Sequence, residues 1–206
     1  MEDYRTIAGR STAEVEEKHS RFIALAAFAD SEEKALAVLD EVRAAHRTAR
    51  HNVYAYVLRQ GGRTRYSDDG EPAKTAGTPV LEAIQHAGVS DVVLVVTRYF
   101  GGILLGTGGL VRAYTAAASG ALAAAELVQM RSVVDCALAV PYAQYEPVRR
   151  LIEQAGARLE EPEFADRVTL RWRQPAGEEG ALCAALDEAL RGAAAVTVTP
   201  PHFAPF

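Results

Sequence analysis

Val92-Val93-Leu94-Val95-Val96 runs directly into Thr97-Arg98-Tyr99-Phe100-Gly101-Gly102-Ile103-Leu104-Leu105-Gly106-Thr107-Gly108-Gly109-Leu110-Val111-Arg112. An apolar, mostly β-branched run without alternation predicts a central strand buried on both faces. Five glycines follow within nine positions, and then an alanine-rich segment reaches about Glu126, which predicts a helix opening near Gly108-Gly109. Upstream, Arg21 to Phe28 and Val53 to Leu58 read as strands, and Gln60-Gly61-Gly62 turns the chain into a short strand at Thr64 to Tyr66. Asp30 with Glu33 reads as a capping box for a helix burying Ala35, Val38, Leu39 and Val42. A second helix is expected from about Pro79 to Gly88.

Near residue 130 the rhythm changes. Val134, Cys136, Leu138 and Val140 alternate as a strand, and Val148, Leu151, Ile152 and Ala155 form a helix stripe. Strands at Arg158 to Phe164 and Val168 to Trp172, a helix stripe from Leu182 to Leu190, and a strand at Ala195 to Thr199 complete the order β-α-β-β-α-β. That order predicts a ferredoxin-like unit. The expected layout is a first domain over 1–130, a second over 131–200 and a loose tail over 201–206, in an α+β chain.

The chain has 206 residues, 49% hydrophobic and 24% charged, which is globular composition and excludes wholesale disorder. No apolar run approaches the roughly 20 residues of a membrane helix. The start, Met1-Glu2-Asp3-Tyr4-Arg5, lacks a signal peptide's basic and apolar regions, and Cys136 with Cys183 are too few for a disulfide framework or a zinc cluster. A cytoplasmic protein without metal or cofactor is expected. The net charge is -5, yet Arg43 to Arg65 holds six arginines and two histidines and no carboxylate. A local basic segment can bind an anion that the average charge would repel.

Three segments are candidates for chemistry. A helix opening in the glycine-rich stretch presents unpaired N–H groups and a positive dipole end to an anion. Gly101, Gly102, Gly106, Gly108 and Gly109 would form that cradle, with Arg98 and Arg112 flanking; the bland alternative is tight turning and close packing. The basic segment offers Arg47, Arg50, His51, Arg63 and Arg65 to phosphates, and Tyr54 or Tyr66 to a base, or else it is a solvated surface. Asp68, Asp69 and Glu71 make an acidic site that can hold a hard cation or supply a base, against ordinary turn chemistry around Gly70. His46 and His51 lack a third clear metal ligand, and nothing resembles a nucleophile elbow, so no catalytic residue is assigned. Lys74 stands out as the sole lysine after Lys34.

Several blocks together carry a family resemblance: Ser20-Arg21-Phe22-Ile23, His46 to Tyr56, Asp68-Asp69-Gly70-Glu71-Pro72, Thr75-Ala76-Gly77-Thr78-Pro79, Val95 to Gly102, and Leu105 to Tyr114. In this order they closely resemble the IMPACT family, in its bacterial YigZ-like branch. The resemblance implies a two-layer α/β first domain, like a ribosomal-protein domain, domain IV of elongation factor G and GHMP-type kinases. It implies a second domain like domain V of that factor. It suggests a non-catalytic factor that binds RNA or the ribosome and regulates translation. The eukaryotic relatives' partner is an activator of a translation-controlling kinase, but this chain lacks their additional N-terminal domain. Two other expectations stand beside it: an enzyme cradling a phosphorylated molecule or nucleotide in the glycine loop, and a regulator that docks a protein through its second domain.

Overall fold

The computed structural model describes residues 2–206. The chain divides into two compact units, Tyr4–Val128 and Gln129–Phe206, the latter joined by Glu2 and Asp3.

The first unit comprises β1 (Tyr4–Ala8), β2 (Arg10–Glu17), β3 (Ser20–Phe28), α1 (Glu32–Ala45), β4 (His51–Leu58), a short 3-10 turn at Gln60–Gly62, β5 (Arg63–Ser67), α2 (Gly77–Ala87), β6 (Val92–Tyr99) and α3 (Gly106–Ala123). Five strands form one antiparallel sheet in the order β2-β3-β6-β4-β5. β6 is central, and the reason is its composition. Val92, Leu94 and Val96 join Phe22, Ala24 and Ala26 in a core closed by Val80 and Ile84 of α2 and by Leu110, Tyr114 and Ala117 of α3. Val93 and Val95 face the other way, with Tyr54 and Tyr56, onto Ala35, Val38, Leu39 and Val42 of α1. The expected two layers thus gain a third, because β6 has no polar side to give to water.

Local details shift from the sequence reading. The cap of α1 is Ser31, whose Oγ accepts the Lys34 N–H at 3.2 Å, while Asp30 pairs with the Lys34 ammonium. β1 and β2 were not apparent in the sequence. β2 is an edge strand with charged residues along one side, and its inner side is anchored by the Ser11 hydroxyl donating to the Ala121 carbonyl at 2.8 Å.

The second unit comprises most of β7 (Glu126–Val140), α4 (Tyr142–Gln154), β8 (Arg158–Leu159), β9 (Glu163–Phe164), β10 (Val168–Pro175), α5 (Glu179–Ala189), β11 (Thr197–Val198) and β12 (His202–Pro205). The strand expected over 158–164 is broken in two. β10 pairs antiparallel with β7, β8 and β9, and β11 and β12 pair antiparallel with the opposite edge of β7. Trp172, Leu170, Val148, Ile152, Leu182 and Leu186 fill its core. The tail is not loose: His202–Pro205 continues the sheet alongside Met130 to Val133. Pro200-Pro201 interrupts pairing without ending it.

Across β7 and β10, Arg173 grips Asp135 with two bonds of 2.7 and 3.2 Å. That bidentate hydrogen bond holds the Asp135 carboxyl below its ordinary value. A depressed native pKa contributes stability that is complete above the unfolded value of about 3.9 and is lost as pH falls through the native one. Asp135→Asn is therefore expected to flatten the acid limb of stability below about pH 4. Denaturation at stepped pH, followed by fluorescence of Trp172, the chain's single tryptophan, reads this unit. An unchanged acid limb would exclude the role.

Candidate nucleic-acid interface

One end of the first sheet gathers most of the singled-out segments. β6 leaves the core at Tyr99 and continues through an exposed loop, Phe100 to Leu105, into α3. His46, capping the C-terminus of α1, lies at this end with Nδ1 2.9 Å from the Tyr99 hydroxyl. His51 opens β4 directly beside Arg98 in the register, and the β2–β3 turn at Lys18-His19 touches Gly101.

The acidic turn packs here too, and every one of its carboxylates is engaged. Asp68 accepts the N–H groups of Lys74, Ala76 and Gly77 at 2.9, 3.1 and 2.8 Å, so it caps α2 in place of a side chain at the N-cap itself. Asp69 accepts the Asn52 N–H at 2.7 Å and lies 3.5 Å from the Arg43 guanidinium, while its carbonyl holds His51 Nδ1 at 2.8 Å. Glu71 receives Arg98 Nη1 at 2.8 and 3.1 Å and the Tyr114 hydroxyl at 2.8 Å. Burial and the Glu71 charge push the Tyr114 hydroxyl far up, so it stays protonated and donates. Among the described residues no cluster of three or more acidic, histidine or cysteine side chains is placed to hold a metal ion. The turn ties loop to helix.

This corrects the expectation for Arg98. Its side chain does not flank an open anion site but is 7% exposed, committed to Glu71, and lies over the rings of Phe22 and Phe100 at 5.5 and 5.6 Å. Tyr54 is corrected as well: it lies buried beneath α1, stacked on Tyr56, with no face for a base. Arg63 and Arg65 belong to β5, where both reach Glu32 at 3.7 and 2.9 Å. Arg63 sits opposite Leu58, at the far end of β4. The basic segment is therefore split, and only its first half lies near the glycine loop.

What remains open is specific. Arg47, Arg50 and Arg112 are exposed, with no carboxylate in ion-pair reach among the described residues; the same holds for Lys74 and for Lys18, which the sequence reading had not singled out. Leu105 occupies the N-cap of α3 without a side-chain bond, and Gly106, Thr107 and Gly108 are exposed. Among the described residues no side-chain acceptor meets their N–H groups, so the positive end of an 18-residue helix faces outward. Gly102 and Gly106 take positive φ at the two ends of the loop tip, while Gly109 is buried against Leu105.

A compact mixed α/β unit with this loop, followed by a small antiparallel α/β unit, defines a class of protein by its pairing of domains. The Impact N-terminal domain matches residues 18–122, and a domain of unknown function, DUF1949, matches residues 138–193. The chain belongs to the IMPACT family. It is 45% identical over 178 residues to the IMPACT family member in pol 5'region of Thermus thermophilus, covering 85% of this chain and 96% of that one. It is 36% identical over 195 residues to the IMPACT family member YigZ of Escherichia coli, covering 93% and 96%. A solved structure described as a hypothetical protein superposes with a TM-score of 0.65 at 35% identity, over 97% of this chain and 98% of the other. No helix among the described residues is long and apolar enough to cross a membrane.

Proposed function

We propose that the first unit is a non-catalytic binding surface for structured RNA, presented on its own or within the ribosome, and that the protein acts through it in regulating translation. One observation carries this reading: cations without carboxylate partners, Arg47 and Arg50 between α1 and β4 and Arg112 within α3, share one end of the unit with a helix N-terminus that no side chain caps. Most other arginines of the unit have a carboxylate partner, Arg59 with Asp91, Arg63 and Arg65 sharing Glu32, Arg98 with Glu71, and Arg5 is tied instead to the Ala87 carbonyl. Leaving Arg47, Arg50 and Arg112 unpaired in an acidic protein suits a polyanion that neutralises them on binding. Asp68, Asp69 and Glu71 are committed to protein donors, which weighs against the acidic turn as a base or magnesium ligand and favours binding over phosphoryl transfer.

Filter-binding or gel-shift titration against ribosomes and structured RNA at several salt concentrations tests the proposal. Binding at low salt that weakens steeply as salt rises supports it. No binding at low salt, or binding indifferent to salt, overturns it.

A further inference from the structure

The Phe100–Leu105 loop carries an apolar tip that neither the core nor the charge argument uses. Phe100, Ile103 and Leu104 are 49%, 45% and 82% exposed, and Val111 of the adjoining helix turn is 37% exposed. Four of the protein's large exposed apolar side chains thus fall within twelve residues, a concentration that marks an interaction surface. The tip stands on a fixed root. The Gly101 N–H donates to the Ser20 hydroxyl at 3.1 Å, and the Phe100 ring lies against the Arg98 guanidinium, which Glu71 holds through Nη1. No carboxylate occurs between Asp91 and Glu126, so the open charge that its own chain segment sets beside the tip is Arg112, Arg98 being paired with Glu71.

Resting on the RNA-binding reading above, we propose that this loop is a wedge that selects RNA containing an unstacked base, at a bulge, junction or loop, over continuous duplex. A polyanion is what the surrounding cations fit, and within a polyanion only a nucleobase face offers apolar area. An uninterrupted A-form helix presents phosphates and 2′-hydroxyls and hides its base faces, leaving Leu104 and Ile103 uncovered. Where a base leaves the stack, the half-exposed Phe100 ring can receive it, while the aliphatic tip fills the gap in the helix. The ring's position is set before binding by the Arg98–Glu71 pair, so little order need be gained on contact.

The test compares two RNAs of equal sequence apart from a central three-nucleotide bulge in one, with 2-aminopurine in the bulge. The wild-type chain and the double variant Ile103→Ser/Leu104→Ser, changed only at exposed positions, are titrated against both. The wild type is expected to bind the bulged RNA about tenfold more tightly, the range of one stacking contact, and to change the 2-aminopurine emission. The variant is expected to bind both RNAs equally, with the salt dependence of the wild type. Equal binding of both RNAs by the wild type, or an unchanged preference in the variant, overturns the wedge while salt-dependent binding leaves the RNA reading standing. Failure of the wild type to bind either RNA or ribosomes at low salt removes both. Undiminished binding to whole ribosomes without binding to protein-free ribosomal RNA would give the loop to a ribosomal protein and likewise overturn the wedge.

Discussion

Glu71→Ala is expected to destabilise the first unit by about 3–5 kcal/mol, the cost of stranding a buried guanidinium. Arg98 and Glu71 side chains are 7% and 4% exposed, so water cannot replace the lost partner. The Arg98 Nε–H already lacks an acceptor, and removing Glu71 would leave most of the guanidinium in the same condition. Tyr114→Phe removes only the hydroxyl that donates to Glu71 and should cost about 1.5–3 kcal/mol, a single hydrogen bond to a charged acceptor. The joint replacement Glu71→Leu/Arg98→Met should cost less than Glu71→Ala alone, because an apolar pair leaves no orphaned charge. Urea unfolding followed by far-ultraviolet circular dichroism measures all three. A cost below about 1 kcal/mol for Glu71→Ala would show that the pair is solvated and would remove the pedestal under Phe100.

Gly101→Ala ranks next, at about 3 kcal/mol, through overlap with backbone that has nowhere to go. A Cβ at Gly101 would stand 2.1 Å from the His19 carbonyl carbon, 2.2 Å from its oxygen and 2.5 Å from the Ser20 nitrogen. Relief requires the β2–β3 turn to part from the loop, breaking the bond from the Gly101 N–H to Ser20. Gly102 is the internal control. Its φ is +85° with open space around it, so Gly102→Ala meets only the intrinsic penalty of a left-handed conformation, about 1–2 kcal/mol. The same unfolding measurement should rank Gly101→Ala clearly above Gly102→Ala. Equal costs would mean the loop root is not pinned to the turn.

The parts of the fold visible in the sequence are those where burial writes a simple pattern. Val92 to Val96 is apolar throughout because helices cover both faces of β6. β2 escaped notice because an edge strand that turns Arg10, Glu14 and Glu16 outward dilutes its own alternation. The role of the acidic turn was equally hidden. Asp68 caps a helix that starts nine positions on, Asp69 reaches the Asn52 N–H on another strand, and Glu71 meets Arg98 27 positions away. The basic segment misled for a geometric reason. β4 occupies eight residues between Arg50 and Arg59, and at roughly 3.3 Å per residue it carries the two ends about 26 Å apart. Continuity in sequence therefore became separation in space, with Arg63 and Arg65 meeting Glu32 and only Arg47 and Arg50 remaining by the glycine loop. The exposed apolar tip went unremarked, since nothing in Ile103-Leu104 distinguishes a buried pair from a presented one.

The most direct measurement is the salt dependence of RNA binding by the wild type and by Arg47→Ala/Arg50→Ala/Arg112→Ala, side by side. Each phosphate contact contributes about 0.7–0.9 to the slope of log affinity against log salt. The triple variant should bind more weakly at low salt, with a slope smaller by about 2–3, one phosphate for each arginine. Identical affinities and slopes for the two proteins would contradict the account, because the charges left open at this end of the first unit would then be playing no part.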